Sequence, residues 1–388
     1  MKRVLYVFGG EEASGAEFVI QRLFKYNTAV VEPHLFVSPG KFADEVVNNK
    51  ICPVTQLNAL KKLNRARIKG FGFIIKALKN YFVVSGKVLD YVRKNNIDIV
   101  HANTIVPASY LIPAIVWSKI TFKKTKWFWS DHDLQYFSQI DHIVSKLCLK
   151  LFDATLVVSD AVKKKFGSAS EKLMILYNGL DLNDFIENDT LRRNFREKYN
   201  IADNQLLFCI AGVVSPRKGQ IMLIKVFSQL AAKYDHIKLV FAGRLSEDTP
   251  EYYQTFLGEV EKNKESILYI GKVNDMVSLY NGIDVLYNNS SNEGSEPLGT
   301  TILEAMAMHK IVIASKVGGS PEIVTDKKDG FLFNADNESA LMDITAQVID
   351  NWYNLTAMRA QASIAIKERF DIEIMASNYN GIIMANTN

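Results

Sequence analysis

The stretch of sequence that decides the fold runs from Asn288 to Gly319 and reads NNSSNEGSEPLGTTILEAMAMHKIVIASKVGG. Its pattern predicts the end of a strand, a polar loop, a helix from near Leu298–Thr300 to about Met308, and a further strand at Ile311–Ser315. Apolar strands that alternate with helices in this way are typical of parallel sheets covered on both faces. The stretch therefore predicts an α/β fold.

The same stretch carries groups suited to a phosphate and a sugar. Gly299, Thr300 and Thr301 fall at the predicted helix N-terminus, where unpaired backbone N–H groups and the helix dipole attract phosphate. Glu296 and Glu304 are separated by seven residues, so both carboxylates could border one ligand. Glu304 suits a ribose diol because a carboxylate accepts from two hydroxyls. The spacing alone is equally compatible with a helix-end charge at Glu296 and a surface residue at Glu304.

Both halves of the chain repeat the alternation of short apolar runs and longer amphipathic stretches. The runs predicted as strands are Arg3–Gly9, Ala29–Val37, Asp98–His101, Lys126–Asp131, Ala154–Ser159, Met174–Tyr177, Leu206–Gly212, Ile237–Gly243, Ile267–Gly271, Asp284–Asn288 and Ile311–Ser315. Turn-forming residues cluster at Asn178–Phe185, between the two series. We expect two doubly wound, Rossmann-like parallel-sheet domains facing a central cleft, at residues 1–180 and 181–370, with a terminal segment at 371–388. Such a cleft is a usual place for a small-molecule site.

Length and composition agree with this organisation. A chain of 388 residues exceeds the size at which one hydrophobic core stops growing, and 48% hydrophobic with 23% charged residues is typical of globular proteins. No uncharged apolar run reaches the length of a transmembrane helix, and the first residues do not form a signal peptide. Cys52, Cys148 and Cys209 are too widely spaced for a disulfide framework or a CxxC metal site. These features predict a cytoplasmic protein.

Charge is distributed unevenly along the chain. Residues 1–180 contain 26 Lys and Arg against 14 Asp and Glu (+12), and residues 181–388 contain the remaining 20 against 28 (−8), which sums to the formal +4. Residues 60–82 (LKKLNRARIKGFGFIIKALKNYF) hold seven of these bases and no acid, and Lys163–Lys165 add positive charge. The stretch 60–82 either docks on an anionic membrane or forms a basic helix packed on the first domain. No nucleic-acid reader motif accompanies it, so no nucleic-acid partner is expected.

The motif EPLGTTILEAMA, with its two glutamates and the EAMA helix, resembles the retaining glycosyltransferases of family four, also called group one. The similarity continues through Val317–Phe333 (VGGSPEIVTDKKDGFLF) and extends, more weakly, over most of the chain. This resemblance implies the two-domain GT-B fold, with the donor bound in the second domain and the acceptor in the first. It also implies that the terminal helix (ERFDIEIMASNYNGII) crosses back to the first domain.

The family's diphosphate-binding line is altered in this chain. In the family, a G-R-hydrophobic-x-x-x-K-G line supplies an Arg and a Lys to the donor diphosphate. Here GVVSPRKGQ starts at Gly212, so that Lys218 and Gly219 match while Val213 occupies the Arg position. The resemblance implies that Lys218 is a counter-ion of the diphosphate, and Arg217 is a candidate for the missing charge.

On the first domain the resemblance implies a glycine loop after strand one, here Gly9, Gly10 and Gly15. It also implies a histidine near the transferring sugar, a position that His132 takes in WSDHDLQYF. We expect His132 and Glu296 to be catalytic. His132 either contacts a sugar hydroxyl or the developing charge at the anomeric carbon, or it only satisfies the adjacent loop backbone.

The resemblance thus implies a metal-independent, retaining transferase. Its donor would be a nucleotide sugar, first of all a UDP-sugar of a hexose or N-acetylhexosamine. Its acceptor would be a glycan or a lipid-linked molecule in cell-surface polysaccharide synthesis, with the protein cytoplasmic or peripheral on the inner face of the membrane. No cofactor is expected, and the histidines lack the spacing of metal ligands. A nucleotide-sugar epimerase of the same architecture and, because of Val213, a non-catalytic nucleotide-sugar-binding partner subunit are the alternatives.

Overall fold

The computed structural model describes residues 1–9, 15–61, 71–121, 124–167, 170–294 and 296–387. The chain divides into two compact units, one formed by Met1–Gly179 together with Ile372–Asn388 and the other by Leu180–Asp371. We refer to them as the first and the second unit. The first unit is built from two separate stretches of chain, whereas the second is one continuous stretch.

The first unit contains a sheet of parallel strands covered by helices. Its strands are β1 (Lys2–Val7), β2 (Val31–Val37), β3 (Val54–Gln56), β4 (Ile99–Asn103), β5 (Lys126–Asp131), β6 (Ala154–Val157) and β7 (Leu173–Ile175). Its helices are α1 (Gly15–Tyr26), α2 (Lys41–Asn48), α3 (Phe71–Asn95), α4 (Ile105–Tyr110), α5 (Ile112–Thr121), α6 (Gln139–Leu151) and α7 (Asp160–Lys164). The strand order is β3-β2-β1-β4-β5-β6-β7, so the winding direction reverses between β1 and β4.

The second unit repeats this plan. Its strands are β8 (Leu206–Ala211), β9 (Ile237–Ala242), β10 (Ile267–Gly271), β11 (Val285–Asn288), β12 (Ile311–Ser315) and β13 (Phe331–Phe333). Its helices are α8 (Asp189–Lys198), α9 (Gln220–Ala231), α10 (Pro250–Lys262), α11 (Met276–Gly282), α12 (Thr300–Ala307), α13 (Ser320–Ile323), α14 (Glu338–Asp350) and α15 (Thr356–Phe370). The order β10-β9-β8-β11-β12-β13 places the reversal between β8 and β11.

The last helix, α16 (Ile372–Thr387), belongs to the first unit. Its residues Ile372, Met375 and Tyr379 are buried in the same apolar cluster as residues of β1 and α1. At the preceding junction, the Leu180 N–H donates to the Phe370 carbonyl at 2.8 Å. The chain therefore enters and leaves the second unit at neighbouring points.

The apolar pattern of the sequence explains both sheets. All six residues of β8 and all five of β12 are buried, as expected for strands with helices on both faces. The α/β class with two doubly wound parallel sheets is confirmed, and each predicted strand is present with ends within two residues of those expected. The strands β3 and β13 were not predicted, because three residues at a sheet edge give too short a pattern.

Candidate functional site

A cavity of about 280 Å³ opens at the carboxyl ends of β8, β9 and β10 in the second unit. It lies next to the reversal between β8 and β11, where doubly wound sheets bind ligands. Gly212 and Gly243 line it, and a Cβ on Gly243 would stand 1.8 Å from the Gly212 carbonyl oxygen. Only glycine allows this close approach of two strand ends, so the backbone itself forms part of the wall.

Two basic residues of this wall were not anticipated from the sequence. Arg244 and Lys272 each follow a glycine at or just after a strand end, in AGR after β9 and in IGK after β10. Both side chains are exposed and line the cavity together with Thr301. A charged residue directly after a strand-ending glycine was the available signal. Arg244 and Lys272 give the cavity a positive charge of the kind that attracts a diphosphate.

Lys218 lies beside the same wall, at the end of a short 3-10 turn (Pro216–Lys218). Its Cε is 3.8 Å from the point where a Cβ on Gly212 would stand. Arg217, expected to replace the family's arginine, is exposed and is not among the residues that line the cavity, whereas Val213 is. In the second unit, therefore, Arg244 and Lys272 lie at the cavity where Arg217 does not.

Glu296 is buried and tied to Lys218 through an ion pair of its Oε2 with Lys218 Nζ. The same oxygen accepts from Ser290 Oγ at 3.1 Å and from Asn288 Nδ2 at 3.2 Å. Both partners follow or end β11, so the loop before α12 is fixed onto the strand end. No local sequence pattern indicates this pairing, because Lys218 and Glu296 are 78 residues apart.

The N-terminus of α12 points its first turn at the cavity. Gly299 precedes the helix with a φ of 98°, a left-handed conformation that favours glycine. Its carbonyl accepts from the Ile302 N–H at 3.0 Å, which leaves the N–H groups of Thr300 and Thr301 at the helix end. Thr301 itself lines the cavity.

Glu304 lies one turn further along α12 and is half-buried. Being three residues after Thr301, it shares that residue's face of the helix. Its Oε2 accepts from the hydroxyl of Tyr280 at 2.8 Å. Burial and the adjacent Glu304 raise the pKa of Tyr280 well above its usual range, so Tyr280 remains a donor that orients the carboxylate. Tyr280 was not singled out in the sequence.

In the first unit, His132 directly follows β5. Its Nε2 lies 2.8 Å from Asn103 Oδ1, which corresponds to a neutral ring with the proton on Nε2 and Nδ1 as an acceptor. Burial and the nearby positive charge of Lys165 lower the pKa of His132 to about 4. At neutral pH the ring is therefore uncharged and acts as a hydrogen-bonding dipole.

A buried ion pair fixes the loop that carries His132. Lys165 Nζ lies 2.5 Å from Asp131 Oδ2 and 2.7 Å from the Asp133 carbonyl oxygen. The side chains of Lys165 and Asp131 are 4% and 1% exposed. The expectation that Lys165 adds to a basic surface is wrong, because this lysine lies inside the first unit. Asp131 and Asp133 flank His132 on both sides, so Lys165 determines where the imidazole stands.

His101 and Gly9 also lie in the first unit, where both contact neighbouring residues. His101 is buried, with its Nδ1 and Nε2 each 2.7 Å from a hydroxyl, of Tyr379 and Ser130 respectively. Gly9 packs against Pro107, whose Cγ would be 3.2 Å from an added Cβ. Gly15 begins α1, while Gly10 lies outside the described residues, as does most of the basic half of the stretch 60–82.

In the part of the chain that the structure describes, no three His, Cys, Asp or Glu side chains converge as metal ligands.

Two protein-family models match the chain. Residues 13–184 match the model described as Glycosyltransferase Family 4, and residues 192–369 match the model described as Glycosyl transferases group 1. The two ranges together include most of both units.

Curated relatives are similar over part of their length. The lipopolysaccharide 1,2-N-acetylglucosaminetransferase of Salmonella typhimurium is 29% identical over 227 residues, which are 55% of this chain and 58% of that protein. A GDP-mannose-dependent alpha-(1-6)-phosphatidylinositol monomannoside mannosyltransferase of Mycolicibacterium smegmatis is 26% identical over 214 residues, 53% and 55% of the two chains. For the first relatives found, the match spans between 51% and 63% of their own length.

Among solved structures, Alr3699/HepE of Anabaena in complex with UDP is similar over 99% of this chain and 100% of its own, with a TM-score of 0.82 and 20% identity. The same protein in complex with UDP-glucose gives a TM-score of 0.80 at 19% identity. At this level of identity the likeness shows that the fold is shared.

Proposed function

Because this chain belongs to the glycosyltransferases of the group 1 and family 4 type and has their GT-B fold, we propose that it transfers a hexose or N-acetylhexosamine with retention of anomeric configuration. The donor is a nucleotide sugar, first of all a UDP-sugar, and the acceptor is a glycan or a lipid-linked molecule. The observation that carries the proposal is the cavity at the strand ends of the second unit, with Arg244, Lys272 and Thr301 in its wall and Lys218 beside it.

The departing diphosphate is the group that this cavity suits best. Arg244 and Lys272 supply positive charge from one side, and the α12 N-terminus supplies N–H donors from another. Lys218 is paired with Glu296 before the donor binds. When a phosphate binds Lys218, one anionic partner of the lysine replaces another, so the ammonium is not left buried without a partner. Glu304, oriented by Tyr280, is the acceptor for the ribose hydroxyls.

His132 has a different part in the proposal. A retaining transfer passes through an oxocarbenium-like state, which oriented dipoles stabilise. A neutral His132 with Nε2 committed to Asn103 presents Nδ1 as an acceptor for a sugar hydroxyl. It therefore orients the sugar and does not serve as a cation.

The test is a panel of nucleotide sugars incubated with the protein alone and with candidate acceptors. Release of a nucleoside diphosphate, with retained configuration in the product by NMR, is expected. An isomerised nucleotide sugar without release would instead identify an epimerase. Binding of the donor with neither outcome would identify a non-catalytic partner and overturn the proposed activity.

We expect turnover to survive EDTA. Arg244, Lys272 and Lys218 provide the positive charge that a divalent ion would otherwise supply to the leaving group. Turnover of protein treated with chelator and desalted should match that of the untreated protein. A strict requirement for added Mg²⁺ or Mn²⁺ would contradict this electrostatic account.

The proposal includes an anionic membrane as a partner of the first unit. Helix α5 packs against both α3 and α6, so the exposed faces of these three helices are neighbours. Large apolar side chains stand exposed on this surface, among them Leu78, Phe82, Trp117, Ile120, Ile140 and Ile143. Trp117 and Phe82 are 54% and 68% exposed. We call this set the apolar face; it reaches beyond the stretch 60–82 expected from the sequence.

Charge selects the partner of the apolar face. Exposed lysines accompany it at Lys76, Lys79, Lys87, Lys146 and Lys150. A second copy of the chain on a twofold axis would set lysine against lysine, whereas anionic lipid gains about 1 kcal/mol for each. The apolar side chains would then enter the headgroup region. Among the described helices, none is long and apolar enough to cross a bilayer.

Vesicle co-sedimentation tests the membrane partner. Wild type should sediment with vesicles that contain phosphatidylglycerol, be released by salt, and remain unbound to phosphatidylcholine alone. The triple variant Trp117→Ser/Ile140→Ser/Ile143→Ser should stay in the supernatant yet turn over a short soluble acceptor. The matched control Tyr353→Ser/Ile364→Ser removes exposed apolar side chains from the second unit and should bind normally. Dimerisation in light scattering that the triple variant abolishes, without vesicle binding, would overturn the assignment.

A further inference from the structure

The second unit has another cavity, of about 440 Å³. It lies at the opposite end of the sheet from the cavity at the carboxyl ends of β8, β9 and β10, which we call the donor cavity. Asp284 and Lys310 line the larger cavity, and these residues directly precede β11 and β12. Because the strands are parallel, the amino ends of β11 and β12 lie at the edge that the donor cavity does not use. Trp352 and Arg359, from the chain around the start of α15, form another part of the wall.

Lys310 is a nearly buried cation whose ion-pair partner among the described residues is distant. Its side chain is 9% exposed, and it forms an ion pair with Glu187, whose Oε1 lies 3.7 Å from its Nζ. That separation is longer than a hydrogen bond, and the Glu187 side chain is itself 58% exposed. Burial lowers the pKa of Lys310, and the negative charges of Glu187 and Asp284 only partly oppose this effect. A buried ammonium is stabilised by close anionic oxygens, and this one has none within hydrogen-bonding distance.

Arg359 is the second incompletely paired cation of this wall. Its guanidinium lies over the ring of Trp352, 4.6 Å from the centroid. Nη2 donates to Thr356 Oγ1 at 2.9 Å, whereas the buried Nε has no partner in the described ranges. The stacking fixes the plane of the fork and leaves N–H groups to bind a ligand.

The remaining charges of this region are already paired. Asp284 accepts from Arg192 Nη2 at 2.9 Å and from Arg196 Nη2 at 2.6 Å, and it also accepts from the Leu207 N–H at 2.8 Å. The Asp284 carboxylate is shared by two guanidinium groups, so its charge, which also acts on Lys310, is already balanced. The cavity therefore keeps two cations that a bound anion would satisfy.

We propose that this cavity is a binding site for a small phosphorylated metabolite, with its phosphate group shared between Lys310 and Arg359. A phosphate offers enough oxygens for an ammonium and a guanidinium fork at once. The cavity is larger than a phosphate needs, so the rest of the molecule lies along the Trp352 side. Since the site is at the other sheet edge from the donor cavity, its ligand is a molecule other than the donor. The inference does not depend on the donor assignment.

Calorimetric titration of the whole chain with inorganic phosphate and with glucose 6-phosphate tests the site, with glucose as the uncharged control. Each titration is run alone and with saturating UDP, which occupies the donor cavity under the proposed function. Binding of the two phosphates should persist in UDP, and glucose should not bind. Lys310→Met and Arg359→Met should each weaken binding about tenfold or more, whereas Lys225→Met, an exposed lysine of the same unit, should leave it unchanged.

The outcomes separate the two cavities. Arg359→Lys keeps the charge but loses the fork and should give an intermediate affinity, provided that its thermal unfolding matches wild type. If UDP abolishes phosphate binding, or if the Lys310 and Arg359 variants bind as wild type does, the phosphate occupies the donor cavity and the proposal is wrong. Absence of binding at millimolar concentrations would overturn it as well. Failure of UDP itself to bind would count against the proposed donor and not against this site.

Discussion

Lys218 and Glu304 lie on different elements of the second unit, and each is held by a neighbouring side chain. Glu296 fixes Lys218 at the end of its turn, and Tyr280 fixes Glu304 on α12. The two carboxylates of the seven-residue spacing therefore have unlike surroundings. One is buried in an ion pair and the other is half-buried beside a phenol.

We predict that Lys218→Ala and Glu304→Ala each weaken UDP binding strongly. Removing a charged partner of a bound ligand typically costs about 2–5 kcal/mol. Glu296 keeps its bonds to Asn288 and Ser290 in the first variant, so the loop stays in place. Calorimetry with UDP measures the loss. Affinity close to wild type in either variant would remove that residue from the donor site, and Tyr280→Phe should fall between.

The charge of Lys165 should be visible in the titration of His132. Replacing both members of the ion pair, as Asp131→Asn/Lys165→Met, avoids leaving one buried charge unpaired. The pKa of His132 should then rise from about 4, because the neighbouring positive charge is gone. Histidine NMR signals followed between pH 3 and 8 report it. An unchanged titration would mean that burial alone sets the pKa.

At the scale of elements, the entry to α12 depends on a close contact. A Cβ on Gly319 would stand 2.6 Å from the Pro297 carbonyl oxygen and 2.7 Å from the Leu298 Cα, both backbone atoms. Gly319→Ala should therefore displace the loop before α12 and weaken UDP binding in calorimetry. Gly258→Ala is the control, since nothing lies within 4 Å of its added Cβ. In the middle of α10 this change should stabilise the protein by about 0.5–1 kcal/mol. Equal UDP affinity in the two variants would contradict the role of Gly319.

Strands and helices were easier to predict from the sequence than contacts between side chains far apart in the chain. The strands and α12 follow from runs such as LLFCIA and TTILEAMA, whose burial depends on local pattern. The pairs Tyr280–Glu304 and Lys165–Asp131 join residues 24 and 34 positions apart, and no local pattern marks them. The family resemblance placed Lys218 and Glu296 at one site but gave no indication of their ion pair. Arg244 had a local signal, a charged residue directly after a strand-ending glycine, but that signal points to a cavity only when the strand order is known.

At the scale of the molecule, acid should weaken the first unit through His101. Burial, and to a smaller extent the neighbouring His132, lowers the pKa of His101 to about 3, whereas a histidine in the unfolded chain titrates near 6.5. Between these two pH values the unfolded chain binds a proton at His101 that the folded chain does not bind. The stabilisation that a neutral His101 gives the folded state is therefore complete above about pH 6.5 and is lost as the pH falls toward 3. The ring faces Tyr6, Tyr379 and Ser130, which stay uncharged in this range.

Urea unfolding at several pH values checks this linkage. His101 contributes up to about 1.4 kcal/mol per pH unit to the fall in unfolding free energy. His101→Phe should flatten the dependence by that amount, even if the variant is less stable throughout. Parallel curves for the two proteins would show that His101 does not take up the proton.

Helix α16 also sets an order of events during synthesis. The ribosome completes the strands of the first unit before it starts Leu180–Asp371, yet the side chains of α16 that finish that unit's core emerge only afterwards. At about 5–20 residues per second, the intervening stretch takes roughly 10–40 s to make. For that interval the nascent sheet presents an uncovered apolar groove where Met375 and Tyr379 will later pack. The second unit, whose two ends are joined through Leu180 and Phe370, is made without such a gap and can close first. Within this chain, the unit whose strands are made first can therefore complete its core only after the second unit has been made, and until then it is the unit that a ribosome-associated chaperone would have to shield.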